Sequence, residues 1–310
     1  MVVAQEPTAS ISDVATIWVR VFSWGMLAVL AVFLVNNYLI TTKDWPGILP
    51  VFQDGIVGSL AWVQLAAYFI GLVVAVAYVV SSRNQTLRAD SALISDANIF
   101  LIRAFFWAVL LIGVVDMVIS FLRVEGLLTA VAGEEMTKKL GRPEYRGTYV
   151  HMPLMAAGVV IAAFTRTLGF VWLSLLIVLA ELAIVITRFV FSYEQAFMGD
   201  LVRFWYGALF LFASAYTLLE EGHVRVDVFY TNFTSKKKGL VNAFGSILLG
   251  LSFSWTIILI GMGSKSAMIN MPLAKFEVSQ SGYGLYVKYL LAGFLAVFAI
   301  TMAIQFVSYF

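Results

Sequence analysis

The sequence predicts an all-α integral membrane protein of about eight transmembrane helices. Composition is the first observation behind that prediction: of 310 residues 61% are hydrophobic and only 12% charged, where an average soluble domain has ~45–50% and ~25%. The second is the run length of the apolar residues. Unbroken stretches such as Leu175 to Ala180 suit helices crossing a ~30 Å hydrocarbon core in roughly 20 residues, and not the ~10-residue alternating strands of a barrel.

Six long stretches qualify directly, at about 17–40, 56–80, 98–122, 168–190, 239–262 and 286–309. Val202 to Leu219 makes a seventh span, interrupted only by Arg203 and small polar residues. Residues 148–164 are short and hold His151 and Pro153, and we read them as the eighth span, a tight hairpin partner of the next. Trp45-Pro46-Gly47 and Ser81-Ser82-Arg83-Asn84 punctuate the connections. The largest hydrophilic insert, Arg123–Gly147, mixes five basic with four acidic residues. Between spans five and six, Ser192–Arg203 carries Tyr193, Phe197, Met198 and Leu201 and predicts a short interfacial amphipathic helix, with a plain loop as the alternative. Met1–Thr16 holds Glu6 and Asp13 but no Lys or Arg, so the first hydrophobic segment is expected to be retained as a span, not cleaved as a signal.

An internal echo bears on the architecture. Thr86–Asp90 recurs 137 residues later as His223–Asp227, and at the same offset Gly147–Val150 recurs as Gly284–Val287. Two diverged four-helix units in parallel orientation would produce it; chance matching in apolar sequence is the alternative. The chain divides accordingly into an N-terminal membrane region, 1–165, and a four-helix region, 166–310. Placing Arg83, Arg88, Arg225 and Lys236–Lys238 on the cytoplasmic side puts both termini in the cytoplasm, although the basic residues of the 123–147 insert then lie outside.

Much chemistry is excluded. The absence of cysteine removes disulfides, thiolate metal sites and thiol catalysis. Formal net charge is +2 and the one compact basic run, Lys236–Lys238, reads as a helix-end anchor, so no nucleic acid is expected as a partner. His151 and His223 sit at segment ends on opposite sides, unlike a haem pair. No zinc ligand set, phosphate loop or Ser-His-Asp constellation is evident. Neither an enzyme nor a cofactor is expected. Ionisable residues inside spans are costly and mark function or contact. Glu181 lies near the middle of its span, Arg188 two turns later on roughly the same face, and Asp116 well within span three, while Arg103 is expected near a helix end. These are read either as polar contacts to neighbouring helices or a partner subunit, or as part of a substrate path.

From Leu218 to Val228 the chain reads Leu-Leu-Glu-Glu-Gly-His-Val-Arg-Val-Asp-Val. This resembles the small membrane (Q, or DctQ-type) subunit of TRAP transporters, whose second helix commonly ends in Gly-His-(Val/Ile)-Arg-Val-Asp. Arg188-Phe189-Val190-Phe191 resembles the Arg-aromatic-X-Phe near the end of that family's first helix, whereas its Trp-Ser-Glu-Glu-Leu-like stretch is matched only loosely by Tyr193-Glu194-Gln195. The likeness covers about 168–310, and the N-terminal region departs from the usual four-span form. It implies an inner-membrane subunit of a sodium-coupled organic acid symporter, with a large M subunit and a periplasmic binding protein as partners. In that system Q scaffolds M and helps dock the binding protein. His223, Arg225 and Asp227, with Glu221, are then expected at the cytoplasmic interface against phospholipid headgroups or M, and Arg188 at the periplasmic interface, pairing with Glu181 or M. The competing function is a stand-alone secondary transporter built from two four-helix repeats.

Overall fold

The computed structural model describes residues 13–53, 58–193, 195–220, 230–278 and 284–310. Among these there is no strand, and eight helices are long and apolar enough to cross a membrane. In chain order the helices are α1 (Asp13–Lys43), α2 (Ser59–Ser81), α3 (Leu87–Val124), α4 (Leu128–Leu140) and α5 (Pro143–Phe164). They continue as α6 (Phe170–Val190), α7 (Ala196–Leu219), α8 (Ser235–Met262), α9 (Asn270–Lys275) and α10 (Lys288–Tyr309). Only α4 and α9 are too short to span. π-Helical turns widen α5 at Gly147–His151 and α8 at Gly245–Leu251.

All eight expected spans are present, but three boundaries differ for physical reasons. α3 begins at Leu87, well before the expected residue 98, with Thr86 capping its first turn by accepting from the Ala89 amide at 3.2 Å. Its 38 residues make a rod of about 57 Å at ~1.5 Å per residue, and Arg103 lies in its middle instead of near an end. α5 begins at Pro143, where a missing N–H costs nothing, so Arg146 also belongs to the helix. The interfacial helix expected over 192–203 is not separate: from Ala196 that stretch is the start of α7. The reason is burial, because Phe197 and Leu201 pack into the protein core and not against headgroups.

The centre of the bundle is formed by α3, α7 and α10. α5 packs along α3, α6 along α7, and α8 along α10, while α2 packs chiefly on α1. One hydrophobic core takes Ile102, Phe106 and Ile112 from α3, Leu173 from α6, Phe204, Trp205 and Phe212 from α7, and Phe294 from α10. Residues before and after position 165 therefore share a single core. Glycines set two of the closest approaches. A Cβ on Gly158 would lie 2.6 Å from the Ala108 amide nitrogen, and one on Gly113 would meet the indole of Trp205. With no hydrophobic driving force between helices in lipid, such close backbone packing is a main source of association.

Polar contacts mark both ends of the antiparallel α3–α10 seam. At one end the Ser95 and Ser308 hydroxyls are 2.7 Å apart, with Ser91 alongside. Further in, the Asn98 amide donates to the Thr301 carbonyl at 2.9 Å and to Gln305 Oε1 at 3.1 Å. Both ends of the described chain lie on one face of the bundle, where the Phe22 and Phe310 rings meet edge-on with centroids 5.1 Å apart.

Candidate functional site

Toward the opposite face the α3–α10 seam ends in a fully buried ionic junction. Asp116 on α3 and Arg146 and His151 on α5 are each 0% exposed. Asp116 Oδ1 accepts from Arg146 Nη1 at 2.9 Å and faces His151 Nε2 at 3.2 Å, and Oδ2 accepts from the Tyr286 amide at 2.9 Å. Arg146 donates further to the Ser120 hydroxyl and, through Nε, to the Leu140 carbonyl. His151 Nδ1 lies 2.8 Å from the Tyr289 hydroxyl. An ionised carboxylate can only accept, so His151 carries its proton on Nε2. A second hydrogen bond joins Nδ1 to the Tyr289 hydroxyl, and the Asp116–Arg146 pair is balanced in charge. Arg123 and Arg146 both place their guanidinium groups over the Tyr286 ring, at 4.6 and 4.1 Å from its centroid.

This geometry holds helices together. The carboxylate, guanidinium and imidazole spend their polar atoms on one another, and only Arg146 Nη2 is buried without a partner. The junction joins α3 and α5 to residues 284–289, and so ties the N-terminal region to the C-terminal one. Asp116 is thus a contact between helices, the first of the two readings of its sequence position. Arg146 escaped sequence reasoning because its helix was expected to begin at residue 148, and His151 was weighed only as a haem ligand at a segment end. A second buried pair, Arg20 Nε to Asp90 Oδ2 at 2.6 Å, joins α1 to the start of α3, and no short-range sequence pattern connects those two positions.

The other candidate feature faces outward. α6 is among the least buried of the spans, touching the core through Leu173 and Ala180. Glu181, at the middle of α6, is exposed on its outer side and makes no hydrogen bond or ion pair with any described residue. The expected pairing with Arg188 is therefore not formed, although Arg188 is exposed as well, two turns further on. Glu221, His223, Arg225 and Asp227 lie outside the described residues.

On the face opposite the chain ends, α4 stands exposed, bent at Gly133 (φ 78°). Its Glu135 and Lys139 pair one helical turn apart at 2.6 Å, which lowers the carboxyl pKa and raises that of the ammonium. Nearby the Tyr193 phenol donates to Glu125, whose carboxylate raises the phenol pKa. Among the described residues no three His, Cys, Asp or Glu side chains gather as a metal site.

Comparison with known proteins gives one result. Residues 176–309 match the family model for the DctQ component of tripartite ATP-independent periplasmic transporters. Neither the curated proteins nor the solved structures yield a significant match. The matched segment runs from within α6 to the end of α10, and so contains the outward face of α6, the core of α7 and the C-terminal side of the buried seam. The C-terminal part of the chain, residues 176–309, is therefore similar to the DctQ component of TRAP transporters, and four further membrane spans precede residue 170.

Proposed function

We propose that this subunit is a static brace for the large M subunit of a sodium-coupled TRAP transporter of organic acids, in the bacterial inner membrane with both termini in the cytoplasm. The observation that carries the proposal is Glu181, a carboxylate at mid-span, turned away from its own bundle. In lipid such a group is expensive, at least ~2–3 kcal/mol for an acidic side chain at a helix centre. A polar or cationic group on a neighbouring membrane subunit removes that cost, and a DctQ component has such a neighbour in M. Arg188 extends the same face toward the periplasmic interface. The N-terminal region then serves as a buttress behind α7 and α10, and α4 projects on the periplasmic side, where it helps seat the binding protein.

Co-expression with the cognate M subunit followed by affinity purification tests this directly. Wild-type chain should retain M, and Glu181→Leu should lose it while the subunit itself stays folded. Vesicle uptake should need all three components; transport by this chain alone would replace the brace with the stand-alone transporter.

A further inference from the structure

A second site lies at the junction of α1, α3 and α10. A cavity of about 180 Å³ opens there, where Arg20, Arg88, Asp90, Ser91 and Ser308 sit among apolar residues such as Val19 and Val307. Directly deeper along the same three helices runs an apolar groove of about 280 Å³, walled by Trp24, Leu27, Leu34, Leu101, Ile300 and Ile304. Ile94 lines both. Trp24 stands where the two meet, its ring on the groove and its indole N–H donated to Asp90 Oδ2 at 3.1 Å. Such a placement, one end apolar and one end polar, is that of a tryptophan at a membrane interface.

This cavity has one cation and one anion to offer. Arg20 is fully engaged, by Asp90 and by the Ser82 carbonyl and hydroxyl. Arg88, by contrast, is exposed and makes no ion pair with a described residue. It sits in the first turn of α3, where unpaired amides and the helix dipole favour an anion. Asp90 is 5% exposed, and its second oxygen, Oδ1, is buried with no hydrogen-bond partner. A buried carboxylate oxygen left without a donor is costly and calls for one.

We propose that this junction holds a phospholipid with a primary-amine headgroup, phosphatidylethanolamine. Its phosphate lies on Arg88, its ammonium donates to Asp90 Oδ1, and one acyl chain fills the groove between α1, α3 and α10. The headgroup has the same two charges as the cavity, in complementary sign, and the tail has the polarity of the groove beneath. The inference is independent of the transport reading, because it concerns neither M nor the binding protein.

Native mass spectrometry of the delipidated subunit in detergent tests it. Phosphatidylethanolamine, phosphatidylcholine and phosphatidylglycerol of identical acyl chains are titrated, with free phosphoethanolamine as the headgroup alone. Phosphatidylethanolamine should bind about tenfold tighter than the other two lipids, since the choline has no N–H and the glycerol no cation; tenfold is the scale of one charge-assisted hydrogen bond. Arg88→Ala should weaken it by about the same factor. Ala97→Trp or Ala31→Trp, each filling the groove from an exposed position, should abolish retention. Equal affinity for the three lipids overturns the headgroup assignment. Unchanged binding in Arg88→Ala and both tryptophan variants, or phosphoethanolamine binding as tightly as the lipid, overturns the site.

Discussion

Asp116 and Arg146, thirty residues apart in the chain, form a salt bridge of 2.9 Å with neither side chain exposed. A pair buried this deeply is a poor source of net stability, because desolvation consumes most of the Coulombic gain. It is nevertheless intolerant of having one partner removed. Asp116→Leu, which strands the guanidinium, should cost about 3–5 kcal/mol and lower the unfolding temperature of the detergent-purified subunit sharply. The double variant Asp116→Leu/Arg146→Met should recover most of that loss. If the losses of the two single variants simply add, the pair is not coupled and the account of the junction fails.

Backbone proximity predicts a second asymmetry. At Gly158 a methyl group would intrude on the Ala108 backbone at 2.6 Å, whereas at Gly25 its nearest neighbour would be a Leu72 methyl at 3.5 Å. Gly158→Ala should therefore destabilise by about 1–3 kcal/mol through overpacking, and Gly25→Ala should be close to neutral. Parallel thermal denaturation of the two variants decides between them.

The neutral part of the seam should behave differently from the ionic part. Asn98 is wholly buried and donates twice across to α10, yet inter-helix hydrogen bonds in membranes average only ~0.6 kcal/mol and reach about 1.7. Asn98→Leu should thus cost no more than about 2 kcal/mol, well below Asp116→Leu on the same denaturation curve.

Glu181 should reverse the pattern of all three. Glu181→Leu removes an exposed acidic side chain that makes no hydrogen bond or ion pair with a described residue, so the isolated subunit should be at least as stable as wild type. Its defect should be confined to association, read as loss of the M subunit on affinity purification. A variant that is destabilised alone and still binds M would place Glu181 in the wrong role.

Hydropathy made the number of spans legible, and the His223–Asp227 motif made the family legible. What sequence reasoning missed lies where charges are neutralised from a distance. A window that counts Asp90 or Arg146 as polar ends the span there, and the expected starts at 98 and 148 follow from that. In the folded chain Asp90 is matched by Arg20 and Arg146 by Asp116, so each helix continues past its charge. Ser192–Arg203 was misread for a related reason. Its amphipathic pattern is real, but Phe197 and Leu201 turn toward protein and not toward headgroups. Glu181 was visible from the start, since an acidic residue in an apolar run needs no partner to be noticed.

The order in which this seam is made has a consequence for biosynthesis. Asn98 must wait for Thr301, 203 residues later in the chain. At a synthesis rate of ~5–20 residues per second, about 10–40 s pass before its acceptor leaves the ribosome. Throughout that interval the hydrophilic edge of α3 stands in the bilayer with its last partner unmade. Nascent chains interrupted before α10 should therefore be the forms most dependent on insertase assistance and most exposed to membrane proteases.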